Sequence, residues 1–190
     1  MPSTRPSIGY HILALVTIAV WGTTFVSTKV LLSHGLTPPE IMFYRFIIAY
    51  ALTWIFTRKV WADTWKDELL LALAGFTGGT LYFLAENTAL DYSITSNVAL
   101  VVCVTPVLTA LLTSLCYKER ITARLVVGSV VALSGVGFVV LNGTVLKIHP
   151  LGDALALVAA VAWAVYSVVI RRFDGCYTTW FVTRKVFFYG

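Results

Sequence analysis

Charge is scarce in this chain, and what there is never gathers. Asp, Glu, Lys and Arg make up 12% of its 190 residues against 58% hydrophobic, and the mean hydropathy is +0.84. A soluble domain carries about a quarter of its residues as charges, so this composition excludes one and makes the lipid bilayer the first partner. The 14 basic residues outnumber the 9 acidic ones. They form no basic stripe interleaved with polar or aromatic loops, and nucleic acid is set aside as a partner. Cysteine is nearly missing too. Cys103 and Cys116 fall inside an apolar run and Cys176 in a short loop, with neither a paired framework nor metal-ligand spacing. His11, His34 and His149 stand far apart at run ends, no Gly-rich phosphate loop follows a strand, and no serine sits on a nucleophile elbow. The sequence therefore predicts no metal and no cofactor, and a membrane-embedded enzyme ranks last among the function classes.

What is present is a repeat. Ile12 to Lys29, ILALVTIAVWGTTFVSTK, is written again as Ala154 to Arg171, ALALVAAVAWAVYSVVIR. Without gaps, Leu13, Ala14, Leu15, Val16, Trp21 and Val26 meet Leu155, Ala156, Leu157, Val158, Trp163 and Val168, and a cation ends each copy eight residues after its tryptophan. Each copy is about 18 residues long, which at about 1.5 Å per residue nearly spans a hydrocarbon core of about 30 Å. Arg5 ahead of an apolar stretch suits a signal peptide, but Trp21 and Lys29 extend the run and more apolar segments follow, so a retained first span is expected.

The fold class predicted is all-α and integral to the membrane: a multi-span helical bundle, the first five-helix unit of an inverted repeat plus the start of the second. A polar lead covers residues 1–10, the first unit 11–143, and the incomplete second unit 144–190. Span one is expected from His11 to Leu32, stopped by Gly35, Pro38 and Pro39. Span two runs from Glu40 to Thr57 and span three from Leu69 to Leu90, with Gly75 and Gly79 as a small-xxx-small pair. A short turn at Asp91 to Thr95 makes spans three and four antiparallel neighbours. Span four, Ser96 to Tyr117, should kink at Pro106, which leaves the Val102 carbonyl without its helical donor. Span five runs from Leu125 to Leu141 and ends at Asn142 and Gly143; span six is the repeat after Gly152. A seventh begins near Trp180 and has about 11 residues, roughly 16 Å and half a span. The whole carrier is expected to have ten helices, of which this chain is the N-terminal part.

Short loops rich in Lys and Arg stay in the cytoplasm. Placing the N-terminus there puts Arg5, then Arg58, Lys59 and Lys66, then Lys118, Arg120 and Arg124, then Arg171 and Arg172 inside, with Lys147 alone outside. Five spans separate the starts of the copies, so the second enters the membrane from the opposite side, an inverted-topology repeat. The repeat continues: EIMFYRFIIAY from Glu40 lies on TWFVTRKVFFY from Thr179, matching Arg45 with Arg184 and Tyr50 with Tyr189.

In order, WGTTFVSTK, FYRF, NTALDYSITSNVALVVCVTPVLTALL, YKERIT, SGVGFVVL and GDALALVAAVAWAVYSVVIRR make the chain resemble the drug/metabolite transporter superfamily, specifically its EamA-type ten-helix members. The resemblance covers nearly the whole chain. It implies a secondary carrier of two inverted five-helix units around a central pathway, a permease or exporter of amino acids or other small metabolites in the bacterial inner membrane. Glu86 departs from the neutral residue expected at its place.

Ionisable groups inside a span are costly and are functional candidates. Lys29, Arg45 and Glu86 lie at similar depth near the outer side on three spans; they fit either an ion-paired clasp or a substrate or proton site. Tyr82 shares a helix face with Glu86, next to Asn87, and Asn97 shares one with Thr105 beside the Pro106 kink. Trp21 and Trp163, matched in the two units, fit either packing at a unit interface or the walls of a substrate cavity. These nine residues are the candidate substrate-binding set, for a small molecule moved by alternating access along spans one, three, four and six, with Glu86 as candidate proton carrier. The competing reading is an accessory half-carrier that works only as a homodimer.

Overall fold

The computed structural model describes residues 8–141 and 149–190, and every regular element among them is helical. Arg5, Lys147 and the boundary between the units at residues 143 and 144 lie outside the described residues. Helix α1 spans Ile8–Ser33, beginning three residues before the expected start, and its Thr17, Thr23, Thr24 and Ser27 hydroxyls donate to carbonyls one turn back. Such back-bonding satisfies a hydroxyl in lipid without a partner helix. At its end Gly35 takes φ +92°, with Leu36 N–H donating to the Leu31 carbonyl and Gly35 N–H to that of Leu32. That pair of bonds is the Schellman cap, which requires a left-handed residue and hence favours glycine.

Helix α2, Pro38–Thr53, starts on two prolines whose missing amides lie where no intrahelical acceptor exists, while the Glu40 carboxylate accepts from the Thr37 N–H (2.8 Å) and hydroxyl (2.7 Å). It stops four residues before the expected Thr57, turning through Trp54 and Phe56, and its 16 residues cover about 24 Å. The third predicted span is one stretch in three pieces: α3 (Trp65–Gly75), a π-helical turn at Phe76–Leu81 and α4 (Tyr82–Tyr92). The fourth is split by Pro106 into α5 (Thr95–Val102) and α6 (Thr105–Tyr117), with a turn at Cys103 and Val104. Then come α7 (Ala123–Leu141), α8 (Pro150–Ile170) and, after a 3₁₀ turn at Arg171–Phe173, α9 (Thr179–Tyr189). Four stretches, Ile8–Ser33, Trp65–Tyr92, Thr95–Tyr117 and Pro150–Phe173, are long and apolar enough to cross a membrane, and Ala123–Gly135 is a shorter apolar helix. Where six complete spans were expected, four described stretches reach that length; α2 falls short because it ends early, and the shorter apolar helix is the start of α7.

Helix α8 is the centre of the bundle. Its Ala156, Ala159, Ala160, Ala162 and Ala164 are buried and pack on α4, α5 and α6. Lipid offers apolar side chains nearly what a protein core offers, so helices in a membrane gain chiefly from close van der Waals packing, which small residues permit. This corrects the expectation that spans three and four are antiparallel neighbours: α4 and α5 meet around their turn, and the slender alanine faces of α8 fill the space between α4 and α6. The glycine pair behaves as expected. A Cβ on Gly75 would stand 2.6 Å from the Tyr189 Cβ, and one on Gly79 2.7 Å from the Gly190 Cα, so both glycines admit α9.

The two copies of the repeat are used differently. Helix α1 buries Thr28 alone among its residues, whereas α8 buries seven.

Candidate functional site

Three features of the sequence place a cavity between α1, α6, α7 and α8. The Pro106 break tips α6 away from the line of α5, the alanines keep α8 thin, and the matched tryptophans project from α1 and α8. The cavity has a volume of about 680 Å³ and a mostly apolar wall that includes Trp21, Trp163, Thr105, Thr109 and Thr113. Trp21 and Trp163 meet at 5.1 Å between ring centroids, tilted by 43°. The tryptophans of the two repeat copies pack on each other, and both line the cavity.

From Trp163 an aromatic chain leads inward to Tyr82 at 4.7 Å, and the Tyr82 hydroxyl donates to the Glu86 carboxylate at 2.5 Å. Tyr82 and Glu86 are both buried, so the pair lies behind the cavity wall. The hydroxyl supplies Glu86 with a donor four residues away on the same helix face, as the sequence spacing allows.

The three-charge site does not form. Lys29 turns away from Glu86 and donates to the carbonyls of Leu90 and Ser93 (3.1 Å to the latter). These carbonyls are left without helical donors where α4 ends, and a lysine there satisfies them and complements the negative end of the helix dipole. The Arg45 guanidinium lies over the Phe83 ring at 5.0 Å, and among the described residues neither cation is within ion-pair distance of Glu86.

Asn87 faces α2, its amide donating to the Pro38 carbonyl at 3.4 Å while its buried Oδ1 has no partner among the described residues. Asn97 is buried on α5, before the turn that separates it from Thr105. The Thr105 hydroxyl donates to the Val102 carbonyl at 2.6 Å, so the acceptor released by Pro106 is occupied by a neighbour in the chain. The cavity thus brings together Trp21, Trp163 and Thr105, with Tyr82 and Glu86 behind them, while Lys29, Arg45 and Asn87 serve helix ends and packing elsewhere.

Sequence reasoning missed two groups. Thr109 and Thr113 continue the face of Thr105 at four-residue steps, line the cavity and, unlike Thr17, Thr23 and Thr24 of α1, donate to no carbonyl of the described chain. The spacing in TPVLTALLTS was the available signal. The second group is Glu68, Lys185 and Tyr189. Glu68, one residue before the expected start of span three, is buried in α3 and accepts from Lys185, Tyr189 and the Ala62 N–H (2.9 Å).

At the α6 end of the cavity, Glu119 makes a two-pronged ion pair with Arg171 (2.6 and 2.9 Å), and the Arg171 hydrogen bonds hold its carboxyl below the usual carboxylate range. Lys118 before it has φ +54°.

Comparison with known proteins accords with this architecture. An uncharacterized transporter of Archaeoglobus fulgidus is 29% identical over 84% of this chain and 56% of its own length. The uncharacterized transporter YyaM of Bacillus subtilis is 29% identical over 80% of the chain and 52% of its own length. A protein of Streptantibioticus cattleyicolor described as a probable terminal-alkyne amino-acid exporter is 25% identical over 87% of the chain and 59% of its own. The chain thus spans about half the length of the curated relatives it matches. No solved structure matches it significantly. Residues 8–141, well over half of the chain, match the EamA-like transporter family. Together with the apolar spans and the repeat built around Trp21 and Trp163, that match makes this chain a member of the EamA-like transporter family, integral to the membrane.

Proposed function

We propose that this chain forms the substrate path of a secondary transporter that moves a small amphiphilic metabolite across the bacterial inner membrane by alternating access, with its N-terminus in the cytoplasm. Amino acids with apolar side chains are the first class to test. The observation that carries the reading is the cavity beside Trp21 and Trp163. Its apolar wall suits an aliphatic or aromatic body, and Thr109 and Thr113 line it with hydroxyls that have no acceptor among the described residues. Small-ligand sites have this character, mostly apolar with a few placed polar groups. The name of the Streptantibioticus relative supports the amino-acid class.

Proton coupling is assigned to Glu86. It is a buried carboxyl whose hydrogen-bond donor, Tyr82, packs at a tilt against the cavity tryptophan Trp163, so a change in its protonation is felt at the cavity wall. Mutual displacement of the two units about this point alternates access.

The test is transport in proteoliposomes with radiolabelled leucine, phenylalanine and alanine, with and without an imposed pH gradient. Each lost hydroxyl contact should cost about 0.5–1.5 kcal/mol, so Thr109→Val with Thr113→Val is expected to weaken apparent affinity by about fivefold or more. Glu86→Gln should abolish gradient-driven accumulation and leave exchange at equal pH intact. Unaltered affinity in the double threonine variant removes the cavity from the substrate path, and gradient-driven accumulation by Glu86→Gln removes the proton assignment.

A further inference from the structure

On the opposite side of the bundle from the transport cavity, α9 carries two adjacent cations into the protein. Arg184 is 2% exposed and Lys185 4%. Lys185 is paired with Glu68, whose carboxylate also takes the Tyr189 hydroxyl and the Ala62 N–H. Arg184 has no such partner. Its Nη1 donates to the Thr57 carbonyl at 2.7 Å and its guanidinium lies 4.4 Å above the Trp54 ring, with no carboxylate in ion-pair distance among the described residues. The cluster therefore holds two buried cations against one buried anion. A buried charge without a counter-ion is strongly unfavourable, and a ring face offsets only part of that cost.

Beside the cations lies a small cavity of about 70 Å³, walled by Tyr50, Trp54, Val60, Trp61, Arg184 and Lys185. Its size corresponds to about two waters at roughly 30 Å³ each, room for a single tetrahedral group and too little for a metabolite. Trp54 and Trp61 are exposed at its rim, in the manner of aromatic residues at a membrane interface, and Arg58 and Lys59 lie between them in the chain. Basic pockets between helices at a membrane surface bind phospholipid headgroups, and a guanidinium matches the paired oxygens of a phosphate.

We propose that Arg184 and Lys185, with the aromatic rim of Trp54 and Trp61, form a binding site for one phosphate group, supplied by an anionic phospholipid or by free phosphate. The bound anion balances the second cation and ties the middle of α9 to the end of α2.

The test is native mass spectrometry of the protein in mild detergent, offered equal amounts of dioleoyl phosphatidylglycerol and dioleoyl phosphatidylcholine. One phosphatidylglycerol should be retained with a preference of about tenfold, a preference that Arg184→Gln removes and Arg184→Lys keeps. Displacement of that lipid by millimolar inorganic phosphate supports a site open to both sources; retention in its presence supports the lipid as source. Phosphate that shifts the tryptophan fluorescence with no lipid preference supports the free ion. Equal retention of both lipids with no fluorescence response to phosphate overturns the proposal, as does an unchanged preference in Arg184→Gln with native helix content. Should Arg184→Gln lose its helices, quenching of the wild type's tryptophans by brominated phosphatidylglycerol decides. Quenching no stronger than by brominated phosphatidylcholine, again without a phosphate response, overturns it.

Discussion

Removing one partner from the Glu68–Lys185 pair should destabilise the bundle far more than removing both. The side chains are 6% and 5% exposed, so neither charge is left to water when the other goes. Glu68→Leu strands the Lys185 ammonium and takes the acceptor from the Tyr189 hydroxyl and the Ala62 N–H. Breaking a buried pair this way costs about 3–5 kcal/mol. Lys185→Met leaves a carboxylate that still accepts two hydrogen bonds, so its cost is nearer to that of one lost charged bond, about 2–3 kcal/mol. The double variant has no stranded charge and should lie within about 2 kcal/mol of wild type, a coupling of at least about 2 kcal/mol. The assay is reversible unfolding in mixed micelles by sodium dodecyl sulfate, followed by far-ultraviolet circular dichroism on all four proteins. Single effects that add within about 0.5 kcal/mol would refute the reasoning, because they would mean that each charge is solvated independently of the other.

Glycine substitutions should divide by neighbour. Gly75→Ala sets a methyl 2.6 Å from the Tyr189 Cβ and 3.0 Å from the Val186 carbonyl, and should lower stability by about 1–3 kcal/mol, whereas Gly128→Ala meets nothing within 4 Å and should raise it by about 0.5–1 kcal/mol. Thermal melts in detergent check both. Lys29→Met should cost about 1–2 kcal/mol through the uncapped end of α4, with Lys29→Arg restoring most of it in the same melts. Lys118→Gly should stabilise by about 1 kcal/mol, since φ +54° suits glycine and strains other residues. The Glu119 carboxyl is held below the usual range by Arg171, so its ionised form favours the folded state. That contribution is present at neutral pH and above and is lost as pH falls through the lowered value. The melting temperature of wild type should therefore drop on acidification by more than that of Glu119→Gln.

Much of the architecture was legible because lipid simplifies the rules. Runs of apolar residues had to be helices, Gly35 and Pro38 had to end one and start another, and Pro106 had to break a third. The meeting of Trp21 with Trp163 followed the repeat itself, though nothing in the pattern distinguished packing from cavity wall, and the structure gives them both places. The charged residues were harder. Depth along a span places Lys29, Arg45 and Glu86 level with one another, but the direction in which a long side chain reaches depends on which acceptor lies within a few ångströms. Lys29 found the open carbonyls at the end of α4, and Glu86 found Tyr82 on its own helix. Glu68 sits at the edge of an apolar run, one residue before the expected start of span three, and its side-chain partners lie over a hundred residues away on α9. The π-helical turn at Phe76–Leu81 had no signal beyond two adjacent glycines.

The alanine faces of α8 carry a consequence for how this sequence can change. A helix wedged between neighbours on several sides, with five alanines buried there, has no slack for added volume, so at those positions the tolerated alternatives shrink to glycine and serine. Helix α1, which buries Thr28 alone within this chain, has no such ceiling. Saturation mutagenesis scored by folded yield should therefore draw two unlike profiles from two stretches that began as the same text. Along α1 any lipid-compatible side chain would pass at most positions. Along α8 a periodic set of sites would be closed to everything larger than a serine side chain.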